Sequence, residues 1–83
     1  MHEIILKSPA KKSILKLDKS SQKRIIKKIE SLKENPKIGK PLTGNLAGLW
    51  RLRADKFRII YQIKEGELII FVLNIGHRKN IYK

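Results

Sequence analysis

Six side chains in the second half of the chain are of the types that act on a phosphodiester: Arg51, Arg53, Arg58, His77, Arg78 and Tyr82. A guanidinium is a planar fork of donors that can hold two phosphate oxygens at once. Histidine is the side chain whose ordinary titration falls nearest neutrality, and a tyrosine ring can stack on a splayed base. Cleavage of a phosphodiester needs donors for the charge that grows on the phosphate and proton carriers for the attacking and departing oxygens. Taken singly, the histidine and the tyrosine read as ordinary structural residues. Within six positions of each other and beside three arginines, they read as a phosphodiester site.

The charge of the whole chain points the same way. Lys and Arg number 20 against 7 Asp and Glu, a formal net charge of +13. A solvated, ion-paired lysine surface does not account for this excess, because too few acids are present to pair with the cations. The field favours polyanions and speeds encounter with them. An acidic protein partner is a second reading, compatible with the first.

At 83 residues the chain is expected to form one domain, residues 1–83. A domain of this size buries only about 60% of its unfolded surface and needs a dense core, which a 41% hydrophobic content can supply. No cysteine is present, so neither a disulfide nor a thiolate metal site can staple it. The opening MHEIILKSPAKK has an apolar run of only three residues, and no stretch approaches the roughly 20 of a membrane span. A cytoplasmic location is the expectation.

The elements that must position the six residues follow from the hydrophobic period. Glu3 to Lys7 reads as a short strand with apolar Ile4, Ile5 and Leu6. Ser8-Pro9 reads as a helix start, with Ser8 as cap and Pro9 in the first turn. Ala10, Ile14 and Leu17 give that helix one apolar stripe. A second cap at Asp18 to Ser21 opens a longer helix to about Glu34, with Ile25, Ile29 and Leu32 inward and lysines outward. Residues 36–48 read as a loop. The apolar period then changes to two over Leu49 to Arg53, Phe57 to Lys64 and Glu67 to Ile75, with Glu65-Gly66 as a two-residue turn. The order β-α-α-β-β-β implies a two-layer α+β fold, a helix hairpin packed on one face of an antiparallel sheet.

Alternation along the strands sorts the faces. With Asp55-Lys56 as the tight turn, Arg53 lies opposite Arg58, Leu52 opposite Ile59 and Trp50 opposite Tyr61. Trp50, Leu52, Phe57, Ile59, Tyr61 and Ile63, joined by Leu68, Ile70 and Val72, should face the helices. Arg51, Arg53 and Arg58 then share the other face with Ile60, Phe71 and Leu73. Like charges across a strand pair repel, so gathering three arginines there suggests an anion between them. The third strand is apolar on both faces and is expected to be central, flanked by the first.

The run LWRLRADKFRIIYQI, followed after a turn by IIFVLNIGHRKNIY, resembles the C-terminal half of RelE-type toxins of the RelE/ParE superfamily. Shared features are a basic pair on one strand, an aromatic-Arg step before an apolar strand ending in tyrosine, and a C-terminal glycine, histidine or lysine, arginine and later tyrosine. Pro41, Leu42 and Gly44 match a loop of the family, so the resemblance covers the whole chain. It implies the toxin of a toxin–antitoxin pair that cuts mRNA on the ribosome and so inhibits translation. The ribose 2′-hydroxyl attacks the scissile phosphate and expels the 5′-oxygen, with neither metal nor cofactor. It assigns phosphate charge stabilisation to Arg58, backbone binding and charge stabilisation to Arg51 and Arg53, the leaving-group region to Arg78, and base stacking or 2′-hydroxyl orientation to Tyr82. Arginine is a poor general base, so His77 is the residue to share the acid–base work. The implied partners are an acidic, RelB-like antitoxin forming a hetero-oligomer, the ribosome and mRNA, with no membrane. Two alternatives remain: a ParE-like toxin that inhibits gyrase without cutting nucleic acid, and a nucleic-acid-binding module without catalysis.

Overall fold

A computed structural model of the chain describes residues 2–77. Its elements are β1 (Glu3–Leu6), α1 (Ser8–Leu15), α2 (Lys19–Ser31), β2 (Lys40–Pro41), β3 (Trp50–Ala54), β4 (Phe57–Lys64) and β5 (Ile69–His77), with short 3-10 turns at Gly44–Leu46 and Glu65–Glu67.

Local chemistry sets the helix ends. Pro9 sits in the first turn of α1, where its fixed φ suits the helix and its missing N–H costs nothing. The cap position belongs to Lys7 rather than the expected Ser8, and no side chain bonds the first turn. The cap of α2 is Asp18, whose carboxylate accepts the Ser21 N–H at 3.3 Å. Gln22 then ties the two helices together: its Nε2 donates to the Ile14 carbonyl at 2.9 Å and the Leu17 carbonyl at 3.1 Å. The Ile14 carbonyl also accepts the Leu17 N–H at 3.0 Å, so Gln22 adds a second bond to the last turn of α1. Helix α2 stops at Ser31 with Leu32 as C-cap, short of the expected Glu34, and Leu32 is fully buried.

The strands form one five-stranded sheet in the order β1-β5-β4-β3-β2. β5 is an interior strand, one place from the central β4, and β1 flanks it as expected, but the β1–β5 pair is parallel and the sheet is therefore mixed rather than wholly antiparallel. A strand apolar on both faces wants neighbours on both sides. β4 takes one side of β5 through the hairpin, and the first strand fills the other. β2, a two-residue strand inside the segment read as loop, pairs with Trp50 and Arg51.

The β3–β4 register is the expected one, with Trp50 opposite Tyr61, Leu52 opposite Ile59 and Arg53 opposite Arg58. The β4–β5 hairpin departs from expectation at two places. Its turn is longer than Glu65-Gly66: Leu68 closes it with φ 54°, is half-exposed, and lies outside the core. A bulge then interrupts the ladder between Ile60 and Tyr61, so that Ile60 pairs with Asn74 while Tyr61 pairs with Val72. The extra residue, Leu73, shifts the phase of everything after it.

Ala10, Ile14, Ile25, Ile29 and Leu32 of the helical segments close over Leu52, Ile59, Tyr61, Ile70, Val72 and Ile75 of the sheet. Each such aliphatic side chain removed from water stabilises the fold by roughly 1.5–3 kcal/mol. Both helices lie on this one face and leave the other uncovered by any helix of the described residues.

Candidate phosphate-binding face

Pairing across β3 and β4 places the basic residues. Residues directly opposite in an antiparallel pair project to the same side. Leu52 and Ile59 are buried under the helices, so Arg51, Arg53 and Arg58, one step out of phase, project to the opposite side. Arg53 stands directly across from Arg58. Arg51 has Ile60 across from it on β4 and Lys40 across from it on β2. Ile60 is only 7% exposed, so an apolar floor lies between the cations. Arg51 and Arg58 are half-buried and Arg53 is exposed. Partial burial lowers the effective dielectric around a guanidinium and strengthens its pull on an anion.

Lys40 was not foreseen. It reaches this face through a strand of two residues, too short to leave a periodic signal in the sequence. Its placement depends on Tyr61. The Tyr61 ring is fully buried and stacked on Trp50 at 6.2 Å between centroids. Its hydroxyl donates to the Pro36 carbonyl at 2.7 Å and accepts the Gly39 N–H at 3.2 Å. Burial raises the Tyr61 pKa, opposed by the Gly39 hydrogen bond, so the phenol stays protonated and able to donate. A side chain at Gly39 would run into the Arg51 carbonyl and come within 2.7 Å of the Tyr61 oxygen. Glycine is what lets β2 approach β3. Beside it, an open cleft of about 400 Å³ runs between α2 and the outer edge of β3, lined by Lys28, Ile38, Lys40, Arg51 and Arg53 among others.

His77 ends β5, but not among the arginines. It pairs with Phe57, and the two rings meet edge to face at 6.0 Å. Simple alternation from Ile70 and Val72 would have put residue 77 on the arginine side. The Leu73 bulge reverses the phase, sending Ile75 into the core and His77 to the helix side, while Gly76 lies across from Arg58. Arg78 and Tyr82 lie outside the described residues. The structure thus gathers Arg51, Arg53, Arg58 and Lys40 and separates His77 from them. Among the described residues, no group of three or more His, Cys, Asp or Glu could hold a metal ion, and no helix is long and apolar enough to cross a membrane.

Two helices packed on one side of a five-stranded mixed sheet are also the fold of solved RelE toxins. The toxin–antitoxin complex RelBE2 of Mycobacterium tuberculosis matches with a TM-score of 0.86 at 24% identity, covering 93% of this chain and 98% of that one. The isolated Escherichia coli RelE toxin matches with a TM-score of 0.80 at 20% identity, covering 99% of this chain and 92% of that one. In sequence, the chain is 32% identical over 87 residues to the toxin RelE4 of Methanocaldococcus jannaschii, covering 100% of this chain and 93% of that protein. It is 31% identical over 80 residues to a RelE-like toxin protein of Escherichia coli, covering 94% of this chain and 84% of that protein. The family model for the ParE toxin of type II toxin–antitoxin systems matches residues 4–82, and the chain belongs to that family. It is a type II toxin of the RelE/ParE superfamily.

Proposed function

We propose that this toxin is a metal-independent endoribonuclease that cuts mRNA on the ribosome and thereby stops translation. The observation that carries the reading is the register of β3 and β4, which gathers Arg51, Arg53 and Arg58 on the face away from the helices. Three cations held together against their own repulsion are stabilised when an anion lies between them.

In the proposed reaction the ribose 2′-oxygen bonds to the adjacent phosphorus and its proton leaves to a base. The bond from phosphorus to the 5′-oxygen breaks, and that oxygen takes up a proton. Arg58 stabilises the negative charge that builds on the non-bridging oxygens. Arg51 and Arg53 hold the flanking backbone. The resemblance assigns Arg78 to the leaving oxygen and Tyr82 to the splayed base or the 2′-hydroxyl. His77, by chain position a proton carrier, faces Phe57 across the strand pair, so the reading rests the chemistry on the arginines.

The partner of this reading is an acidic, RelB-like antitoxin covering the basic surface. Its support is the charge of +13 and the solved relatives, among them the RelE–RelB complex from Pyrococcus horikoshii. The second reading is gyrase inhibition without cleavage, favoured by the family model that matches, that of ParE toxins.

One experiment separates them. Wild-type protein and Arg58→Ala are added to a translation extract, and mRNA ends and gyrase-dependent DNA damage are both measured. Wild type is expected to cut mRNA and Arg58→Ala to cut it about 10²–10³ times more slowly, the usual loss when one transition-state donor is removed. Intact mRNA together with gyrase-dependent damage would replace the proposal with the second reading.

A further inference from the structure

The face away from the helices changes character along β4. The row of Arg53, Arg58 and Gly76 is followed by that of Arg51, Ile60 and Asn74, and then by Gln62, Phe71 and Ile5. Trp50, Phe57 and Tyr61 belong to the helix side, so Phe71 is the one aromatic ring on this face among the described residues. It is half-buried, with the Lys7 ammonium over its ring at 4.7 Å from the centroid. Gln62 lies directly across from it on β4, and Ile5 beside it on β1. From Arg58 to Gln62 is four residues of strand, about 13 Å, a distance an extended RNA strand spans in a few nucleotides.

We propose that Phe71 is a stacking platform for one unpaired base of the RNA whose phosphates lie on Arg51, Arg53 and Arg58, and that Gln62 reads the edge of that base. This rests on the RNA-cleaving reading. An apolar ring set among cations suits an occupant that brings flat apolar surface and negative charge together at fixed spacing, and a single-stranded nucleic acid is such an occupant. Lys7 then swings off the ring face to the neighbouring phosphate as the base takes its place. A glutamine amide offers a donor and an acceptor side by side, the pattern that matches adenine. The subsite therefore prefers adenine over uracil, away from the scissile bond.

The test uses the full chain and short fluorescein-labelled RNAs with 2′-O-methyl groups, which cannot be cleaved, in a set where each position in turn lacks its base. Binding is followed by anisotropy across salt concentrations for wild type, Phe71→Leu, Gln62→Ala and Arg58→Ala. For wild type, one position of the set should weaken binding about 5- to 100-fold when its base is missing. Phe71→Leu should erase that difference while binding the abasic strand as wild type does. Gln62→Ala should keep the stacking gain and lose the preference for adenine.

If every abasic strand binds wild type like the intact one, the platform is overturned. If that binding is still salt-dependent and weakened by Arg58→Ala, the RNA reading survives it. Absence of salt-dependent binding would overturn both. A Phe71→Leu protein that loses an acidic peptide partner and keeps its RNA affinity would hand the patch to a protein.

Discussion

The Tyr61 hydroxyl, carried on a fully buried ring, donates to the Pro36 carbonyl at 2.7 Å. A core residue thereby fixes the segment that delivers Lys40 to the sheet, since the same oxygen accepts the Gly39 N–H. Tyr61→Phe keeps the ring and removes both bonds. The loss expected is about 1–3 kcal/mol, because a partly buried amide and carbonyl lose their partner. Urea unfolding should show a lower midpoint at unchanged slope, and the Gly39 amide should exchange faster than in wild type. A protein with wild-type midpoint and wild-type exchange would mean that water or a neighbouring group satisfies the segment.

Arg53 and Arg58 oppose each other across β3 and β4. Like charges directly opposite across a strand pair repel, and under the proposed function a phosphate bound between them would relieve that repulsion. Arg53 is exposed, so Arg53→Gln removes charge with little packing. The melting temperature should hold or rise. Affinity for single-stranded RNA should fall, and the slope of log affinity against log salt should shrink by about 0.7, one phosphate contact's worth. A destabilised variant with an unchanged salt slope would show Arg53 to be structural.

The registers of these strands were legible because alternation and the Asp55-Lys56 turn fix which residues of β3 and β4 share a side. Ile25 and Ile29 on the second helix and Leu32 at its C-cap were legible for the same reason at a different period. Three features were not. The bulge at Leu73 hides inside a run apolar on both faces, where either phase looks acceptable. Leu68 adopts a left-handed conformation that leucine disfavours, so nothing in its type marks it as a turn residue. The parallel direction of β1 depends on which edge of β5 is free, a property of the assembled sheet rather than of residues 3–6. The first of these moved His77, and with it part of the expected site.

That displacement has a kinetic consequence. With its ring against Phe57, His77 is on the far side of the sheet from Arg58. His77→Gln should retain mRNA cleavage within about tenfold, against the 10²–10⁴ expected for loss of a general acid or base. The pH–rate profile should keep its shape. A loss in the larger range, with one limb of the profile gone, would restore His77 to the chemistry.

Asp18 makes folding of the helix hairpin pH-dependent. Its carboxyl is held below the usual 3.8 first by the hydrogen bond to the Ser21 side chain, then by the Ser21 backbone N–H. The folded state therefore binds the proton less readily than the unfolded chain. The stabilisation is fully present well above 3.8 and is lost as pH falls through that value toward the lower folded one. Asp18→Asn keeps a capping oxygen without the titration. Unfolding compared at pH 7 and at progressively lower pH should find wild type losing stability relative to Asp18→Asn in the acid range. The site is exposed, so added salt should diminish the charge-dependent part of the difference. Parallel stability curves for the two proteins down to acid pH would show that the Asp18 charge contributes nothing to the start of α2.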